Sequence, residues 1–538
     1  MPWLEWLDRK QDVGKAGQAP YRLLEPVHKL DVGAEDAPNM LIEGDNLDAL
    51  KALLPYYGGL VKCVYADPPF NTGQAFTDYD DNLEHSIWLS MMYPAMELLR
   101  QLMSEDGTLF VHIDDNELGY LIAILDEIMG RKNRVAVVSF KQGAPTGHKA
   151  INPGMVSTTN FILVYAKNKA EWKPNRVFTG RERDKRYGKF LVNPHEHHSK
   201  WKFTTLTAAV AKATGKKAAE LKKELGDGLE GFLNDFVIEH AKQVAQFVRP
   251  DYNAVSKEAQ GMIDASLAKP TDIMHLAREE HSDMYFIGGQ RIIFYSGKLK
   301  EVDGQLVAGE PLTTLWDDLL SNNLHKEGGV EFPKSKKPEA LIKRCLDLAT
   351  NEGDIVLDSY LGSGTTAAAA HKMKRRWIGV ERGEHAQTKC LPRLQAVVEG
   401  EQSGISKSVS WKGGGGFRYY RLGPSVFDEN SHIREGIKFE WLAAHVWFAE
   451  TGTARSTRAK KSAYLGEHDG TAYYLLYNGI LGDKSVSGGN VLTLKLLSEF
   501  PPHQGRKVIY GEATRLSPER LASLGIVFKQ TPYDIKAR

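Results

Sequence analysis

DIVLDSYLGSGTTAAAAHKM, Asp354 to Met373, is the stretch that decides the fold. The apolar triplet Ile355–Leu357 predicts a short strand, and the run after Thr365 predicts a helix. Between them stand Gly362-Ser363-Gly364-Thr365-Thr366-Ala367. Glycines there allow a tight turn and a close approach of backbone to ligand, while the helix start offers free N–H groups to an anion. The spacing fits G-x-G-x-x-G/A. Glu381 closes the next apolar run, WIGVE, 19 residues after Gly362, where an acid that binds a ribose belongs. Strand, turn, helix and acid together favour a nucleotide or nucleoside ligand over structural packing. No Gly-Lys-Ser/Thr follows, so this is not a Walker A loop.

The same rhythm extends outward. MLIEGDNLDALKALL predicts a strand at Met40–Ile42 and then a helix, VKCVYADPPF a second strand, and IWLSMMYPAMELLRQLM an amphipathic helix. GTLFVHIDDNE, LGYLIAILDEIMG and RVAVVSF continue as strand, helix and strand. Such alternation with short links builds a parallel sheet with helices on its faces. It stops near Lys167 and resumes at PEALIKRCLDLAT. The chain therefore divides into a leader (1–37), a first half of the α/β domain (38–166), an insertion (167–320), a second half (321–417) and, after the glycine run KGGGGF, a C-terminal unit (418–538) that closes as strand–helix–strand. A length of 538 residues is in keeping with two or three domains.

One segment does not follow from the sheet alone. In VYADPPFNTG, Val64 to Gly73, an apolar strand runs into an acid, two prolines and an aromatic ring. Prolines end a strand because their ring nitrogens cannot donate. A turn accounts for Asp-Pro-Pro, but not for a carboxylate and a ring on either side of it. A dinucleotide dehydrogenase would account for Gly362, Gly364 and Glu381 and leave this segment without a role.

Together these pieces resemble the amino-group DNA methyltransferases that use S-adenosylmethionine. ADPPFNTG is similar to that family's Asp-Pro-Pro-aromatic catalytic motif, with Phe70 where Tyr is more usual. DSYLGSGTTAAA is similar to its glycine-rich cofactor motif, with Ser359 and Tyr360 where Pro and Phe are frequent. FPKSKKPEALIKRCL resembles the segment that covers the cofactor, and IEGDN the strand whose acid faces the adenine. The catalytic motif precedes the glycine motif, as in the beta subgroup. KGGGGFRYYRL and the long C-terminal unit further resemble modification subunits of type III restriction systems and their solitary relatives.

The resemblance implies a Rossmann-like α/β methyltransferase fold with a mixed, mostly parallel sheet in circularly permuted motif order. It also implies an inserted target-recognition region and a C-terminal α/β accessory domain. The reaction would be methyl transfer from S-adenosylmethionine to N6 of an adenine flipped out of double-stranded DNA, with N4 of cytosine as the nearest alternative. RNA or protein-amide methylation, and a DNA-recognition subunit serving a nuclease or translocase, also stay open. Asp67, Pro68, Pro69 and Phe70 would be catalytic: the Asp67 carboxylate and the Pro68 carbonyl accept from the amine, and Phe70 stacks on the base. Asp67, Asp358, Tyr360, Gly362, Ser363, Gly364, Thr365 and Thr366 would line the cofactor. Glu381 would take the ribose hydroxyls, Asp45 the adenine amine, and Lys334 would lie near the carboxylate. Partners would be DNA, a second copy of the chain and a type III restriction subunit.

Bulk properties narrow the setting. The net charge is +1, and no apolar run approaches the ~20 residues a membrane span needs. The start, MPWLEWLDRKQD, lacks the pattern of a secretory signal, and Cys63, Cys345 and Cys390 are too few and scattered for a disulfide framework, so the cytoplasm is expected. Charge is concentrated locally. Eleven Lys/Arg face four acids between Lys167 and Lys202, and Lys173, Arg176, Arg181, Arg183, Lys185, Arg186, Lys200 and Lys202 are the expected phosphate contacts. His195, His197 and His198 lie in a basic, irregular stretch and are read as a solvated loop rather than a metal site.

Overall fold

The computed structural model describes residues 3–71, 84–143, 155–319, 324–330, 336–428, 432–456, 459–531 and 535. Two compact units emerge: residues 1–175 with 313–538, and residues 176–312.

The first unit is organised by an eleven-stranded sheet. Its strands are β1 (Arg22–Pro26), β2 (Val32–Gly33), β3 (Asn39–Glu43), β4 (Val61–Ala66), β5 (Met103–Ile113), β6 (Arg134–Lys141), β7 (Thr159–Ala166), β8 (Leu315–Trp316), β9 (Ile355–Asp358), β10 (Arg376–Glu381) and β11 (Gly416–Ser425). Their spatial order is β1-β11-β3-β10-β9-β4-β5-β7-β6-β8, with β2 paired to β11. From β11 to β5 every neighbour is parallel, and β7 lies antiparallel between β5 and β6. The fold is thus α/β with a mixed, mostly parallel sheet. The expected start of the C-terminal unit at 418 falls inside β11, whose residues Phe417–Arg421 pair with Asn39–Glu43.

Central strands are buried on both faces, which is why they read as near-continuous apolar runs. Val64 and Ala66 join the main core with Leu50 and Leu53 of α1 (Asn46–Tyr57) and Trp88 of α2 (His85–Leu102). Cys63 and Tyr65, equally buried, point to the opposite face, where α3 (Glu339–Ala349), α4 (Thr365–Lys372) and α5 (Leu391–Val398) lie. Beyond β11, the helix Phe439–Thr451 adds Phe439, Leu442 and Val446 to the main core, as do Tyr473, Leu475 and Val508 of a four-stranded sheet.

The second unit holds a six-stranded antiparallel sheet and a three-stranded one. Tyr187, Val237, Val244 and Tyr295 form its largest buried cluster.

Candidate active site

Parallel strands put their C-terminal ends along one edge, the usual ligand edge of such sheets. Here β4 and β9 are neighbours, with Leu357 beside Val64. The Asp-Pro-Pro-Phe segment that leaves β4 and the glycine turn that leaves β9 therefore open on the same edge, although nearly three hundred positions separate them in sequence. Glu381 ends β10 on the other side of β9 and pairs in register with Glu43 of β3, two residues before Asp45.

The β4 exit is held tightly. Trp88 donates its indole N–H to the Pro69 carbonyl at 2.8 Å. Asn71, in the left-handed region at φ 59°, donates to Glu117 Oε1 at 2.7 Å. The same oxygen is 2.6 Å from His85 Nδ1, and the Glu117 side chain is wholly buried. Asp67 Oδ2 meets Lys337 Nζ at 2.8 Å, while Oδ1 has no hydrogen-bond partner among the described residues. Burial pushes the Asp67 carboxyl above the usual carboxylate range, and the Lys337 ammonium opposes that rise. His112 lies below it, with its ring centre 5.4 Å from that of Phe70. Burial depresses the imidazole well below its ordinary value, so it is neutral. The Asn160 amide donating to Nε2 (3.3 Å) leaves the proton on Nδ1, which is 2.9 Å from Tyr65 Oη and 3.9 Å from Asp67 Oδ1.

The β9 exit is a folded cradle. Asp358 Oδ1 accepts from Tyr360 N at 2.8 Å. Its carboxyl is pushed up to about 7, chiefly by burial and further by Asp67 nearby. Gly362 and Gly364 take φ of 55° and 84°, which side-chain-bearing residues rarely adopt. Gly362 N donates to Glu381 Oε2 at 2.6 Å, and burial lifts Glu381 to about 8 against that bond. Arg393 Nη1 donates to the hydroxyls of Ser363 (3.2 Å) and Thr365 (2.8 Å), two of the residues expected to line the cofactor. Thr366 is also buried. Asp45 uses Oδ1 to cap α1, accepting from Leu47 N at 3.0 Å and Asp48 N at 3.4 Å. Tyr360 packs against the main core and donates to Met92 Sδ at 3.5 Å.

Beneath the cradle lies an ionic network. The Glu339 side chain is fully buried and meets Lys372 Nζ at 2.7 Å and Arg393 Nη2 at 2.9 Å, both equally buried. Lys372 also pairs with Glu401, and Glu327 Oε1 accepts from Glu339 N at 2.9 Å. Gly404, at φ 56°, passes so close that a Cβ there would stand 2.2 Å from Glu339 Oε2.

The family model described as DNA methylase, for N6 and N4 methyltransferases, matches residues 61–390, a span that contains both exits. The chain belongs to the DNA methylase family. The chain is similar to the "Probable type III restriction-modification enzyme HindVI Mod subunit" of Haemophilus influenzae. The two are 34% identical over 414 residues, covering 72% of this chain and 54% of that protein. It is 25% identical to the EcoP15I Mod subunit of Escherichia coli, over 69% of this chain and 62% of that one. The chain thus spans a little over half the length of these relatives. Among solved structures, the M1.HpyAVI–SAM complex aligns over 66% of the methylase and 98% of its own chain, at 15% identity with a TM-score of 0.32.

Lys334 lies outside the described residues. Lys337, from the same lysine-rich segment, is the residue that reaches Asp67. Nothing in the sequence singles it out among neighbouring lysines, and His112 and Glu117 are equally silent there, because their roles depend on strand pairing. Of the expected phosphate contacts, Lys173 belongs to the first unit. In the second, Arg181 is 3.5 Å from Glu310, Arg183 3.3 Å and Lys185 3.4 Å from Glu230, and Arg186 2.7 Å from Asp184. Arg176 lies over the Phe178 ring. Among the described residues, Lys200 and Lys202 have no carboxylate partner. Between them Trp201 packs on Tyr285 (4.7 Å), which stacks on His275 (4.8 Å), and His198 joins the same aromatic cluster.

Proposed function

We propose that this chain transfers a methyl group from S-adenosylmethionine to N6 of an adenine flipped out of double-stranded DNA. The observation that carries the reading is the shared edge: Asp-Pro-Pro-Phe and the glycine turn leave adjacent parallel strands side by side. The residues present fit the cofactor. The Gly362–Gly364 turn offers backbone to a close ligand, Glu381 offers a buried carboxyl for ribose hydroxyls, and Asp45 Oδ2 stands beyond its capping bond for the adenine amine. The bound cofactor supplies an electrophilic methyl sulfonium. The protein supplies position and charge.

On the acceptor side, an exocyclic amine is a poor nucleophile because its lone pair is delocalised into the ring. Asp67 and the Pro68 carbonyl accept its two hydrogens and turn the lone pair out of the ring plane. Pro68 and Pro69 fix the segment, so little entropy is lost in aligning the acceptors. Phe70 stacks on the base, and stacking of about 1–3 kcal/mol offsets part of the few kcal/mol that flipping costs. After transfer the methylated amine is acidic and releases its proton, so Asp67 serves as acceptor throughout.

Assembly with a type III restriction subunit and with a second copy belongs to the same reading, supported by the Mod subunits this chain resembles, as does a cytoplasmic setting. The 176–312 unit reads as the target-recognition region, with 418–538 as an accessory region. The direct test is incubation with methyl-tritiated S-adenosylmethionine and unmethylated genomic DNA, followed by digestion to nucleosides. Label in N6-methyladenosine is expected. Label in N4-methylcytosine would move the target to cytosine, and unlabelled DNA would refute the reading.

Two predictions arise here. Glu381, lifted to about 8, must give up its proton to accept from two hydroxyls. Cofactor affinity should therefore rise between pH 6 and 9, with up to about one proton released on binding near pH 7.5, as calorimetry in two buffers would show. The fold alone responds with the opposite sign. A carboxyl raised in the folded state makes stability fall as pH climbs from the ordinary carboxylate range to about 8. E381Q should thus raise Tm at pH 8 while weakening the cofactor.

The second prediction concerns DNA. Lys200→Ala and Lys202→Ala should each lower the salt slope of binding by about 1, whereas Arg183→Ala and Arg186→Ala, already paired with acids, should change it less. Equal changes at all four would contradict the assignment.

A further inference from the structure

The Lys337 ammonium stands where a base amine would have to stand. Its Nζ lies 2.8 Å from Asp67 Oδ2 and 4.6 Å from the centre of the Phe70 ring. One cation thus engages both the carboxylate and the aromatic face that the reaction assigns to the flipped base. The segment presenting it is anchored independently. Lys336 donates to the carbonyls of Glu327 and Val330, and Glu339 is fixed in the buried ionic network. Lys337 carries its ammonium on a flexible four-carbon stem.

Among the described residues, the other titratable groups facing Asp67 offer no substitute charge. His112 of β5 is neutral, 3.9 Å away. Tyr65 of β4 is a buried phenol whose ionisation Asp67 opposes, and Asp358 of β9 is a second carboxyl that Asp67 pushes toward protonation. About a fifth of the Asp67 side chain remains exposed, yet burial already outweighs the help of Lys337. Without that cation, Asp67 would hold its proton to higher pH.

We propose that Lys337 is a positioning residue for the transfer, keeping Asp67 ionised and in place until the target amine displaces its ammonium from Oδ2 and from the Phe70 face. This rests on the methyl-transfer reading and adds an order of events on the acceptor side. The ammonium offers N–H donors to the carboxylate much as the amine does, so displacement exchanges one donor for another at Oδ2. No covalent bond is made or broken at Lys337.

The test follows tritium transfer from methyl-labelled S-adenosylmethionine to unmethylated genomic DNA from pH 5.5 to 9.5, using the full chain as wild type, K337R and K337M. K337Q replaces K337M should the latter not fold. K337R is expected to keep the acid limb of the wild type. K337M should shift that limb upward, so that its deficit against wild type is largest, about tenfold, at the acid end of the profile. Above pH 9 it should match or exceed wild type, because no side chain has to be displaced. Parallel profiles overturn the proposal, as does a K337M rate that stays about tenfold low at pH 9.5. Thermal unfolding at pH 8 gives a reading independent of activity. K337M should lower Tm in the wild-type background and change it little in a D67N background. Equal losses in both would overturn the coupling. Failure of the wild type to methylate DNA would instead sink the methyl-transfer reading and leave this cycle interpretable.

Discussion

Replacing Asp67 with Ala should reduce methyl transfer by roughly 10³-fold or more while changing cofactor affinity only a few-fold. Asp67 Oδ2 holds the Lys337 ammonium whose place an incoming amine would take, and its buried Oδ1 lacks a hydrogen-bond partner among the described residues. Its contribution is made when the lone pair leaves conjugation, so its loss falls on the chemical step rather than on binding. D67N is the sharper variant, because it keeps the shape, removes the charge and can turn N–H donors toward the amine. Single-turnover transfer together with calorimetric cofactor titration separates the two effects. Near-normal transfer by either variant would remove Asp67 from the mechanism.

The second large effect is on stability. Glu339→Ala should cost about 3–5 kcal/mol, because it strands charges that have no access to water. Lys372 and Arg393 are both fully buried against Glu339, and Arg393 in turn holds Ser363 and Thr365 of the glycine turn. Lys372 retains Glu401, and Arg393 retains Glu327 at 3.6 Å, which sets a floor under the loss. Urea unfolding of wild type, E339A and E339Q would measure it, with E339Q expected between the other two. A loss below about 1 kcal/mol for E339A would mean that the network relaxes around the gap. Because the same arginine braces the turn, E339A should also weaken cofactor binding without touching it.

How much of this could be read from the chain depends on distance along it. Strand, turn and helix at 355–372 are local and follow from apolar runs broken by two glycines, so the sheet and its ligand edge were legible. That Asp67 and Gly362 would share that edge was legible only through motif order, since nothing local to either residue mentions the other. Side-chain direction was not legible. That Arg393, some thirty positions later, donates to the hydroxyls of both Ser363 and Thr365 is not visible beside the glycine motif. Lys334 and Lys337 are indistinguishable in FPKSKKP, a stretch of sequence with no periodicity to rank one lysine above another. The basic stretch is less available than it looked for the same reason: Glu230 and Glu310, far downstream, partly neutralise Arg181, Arg183 and Lys185.

The most direct measurement is ultraviolet cross-linking of the chain with methyl-tritiated S-adenosylmethionine, followed by mapping of the labelled peptides. Donor and acceptor groups meeting in one crevice predict label on the segments around Asp67–Phe70 and Asp358–Gly364, chased by unlabelled cofactor and retained in D67A. Chaseable label confined to peptides of the 176–312 unit, with neither segment marked, would contradict it.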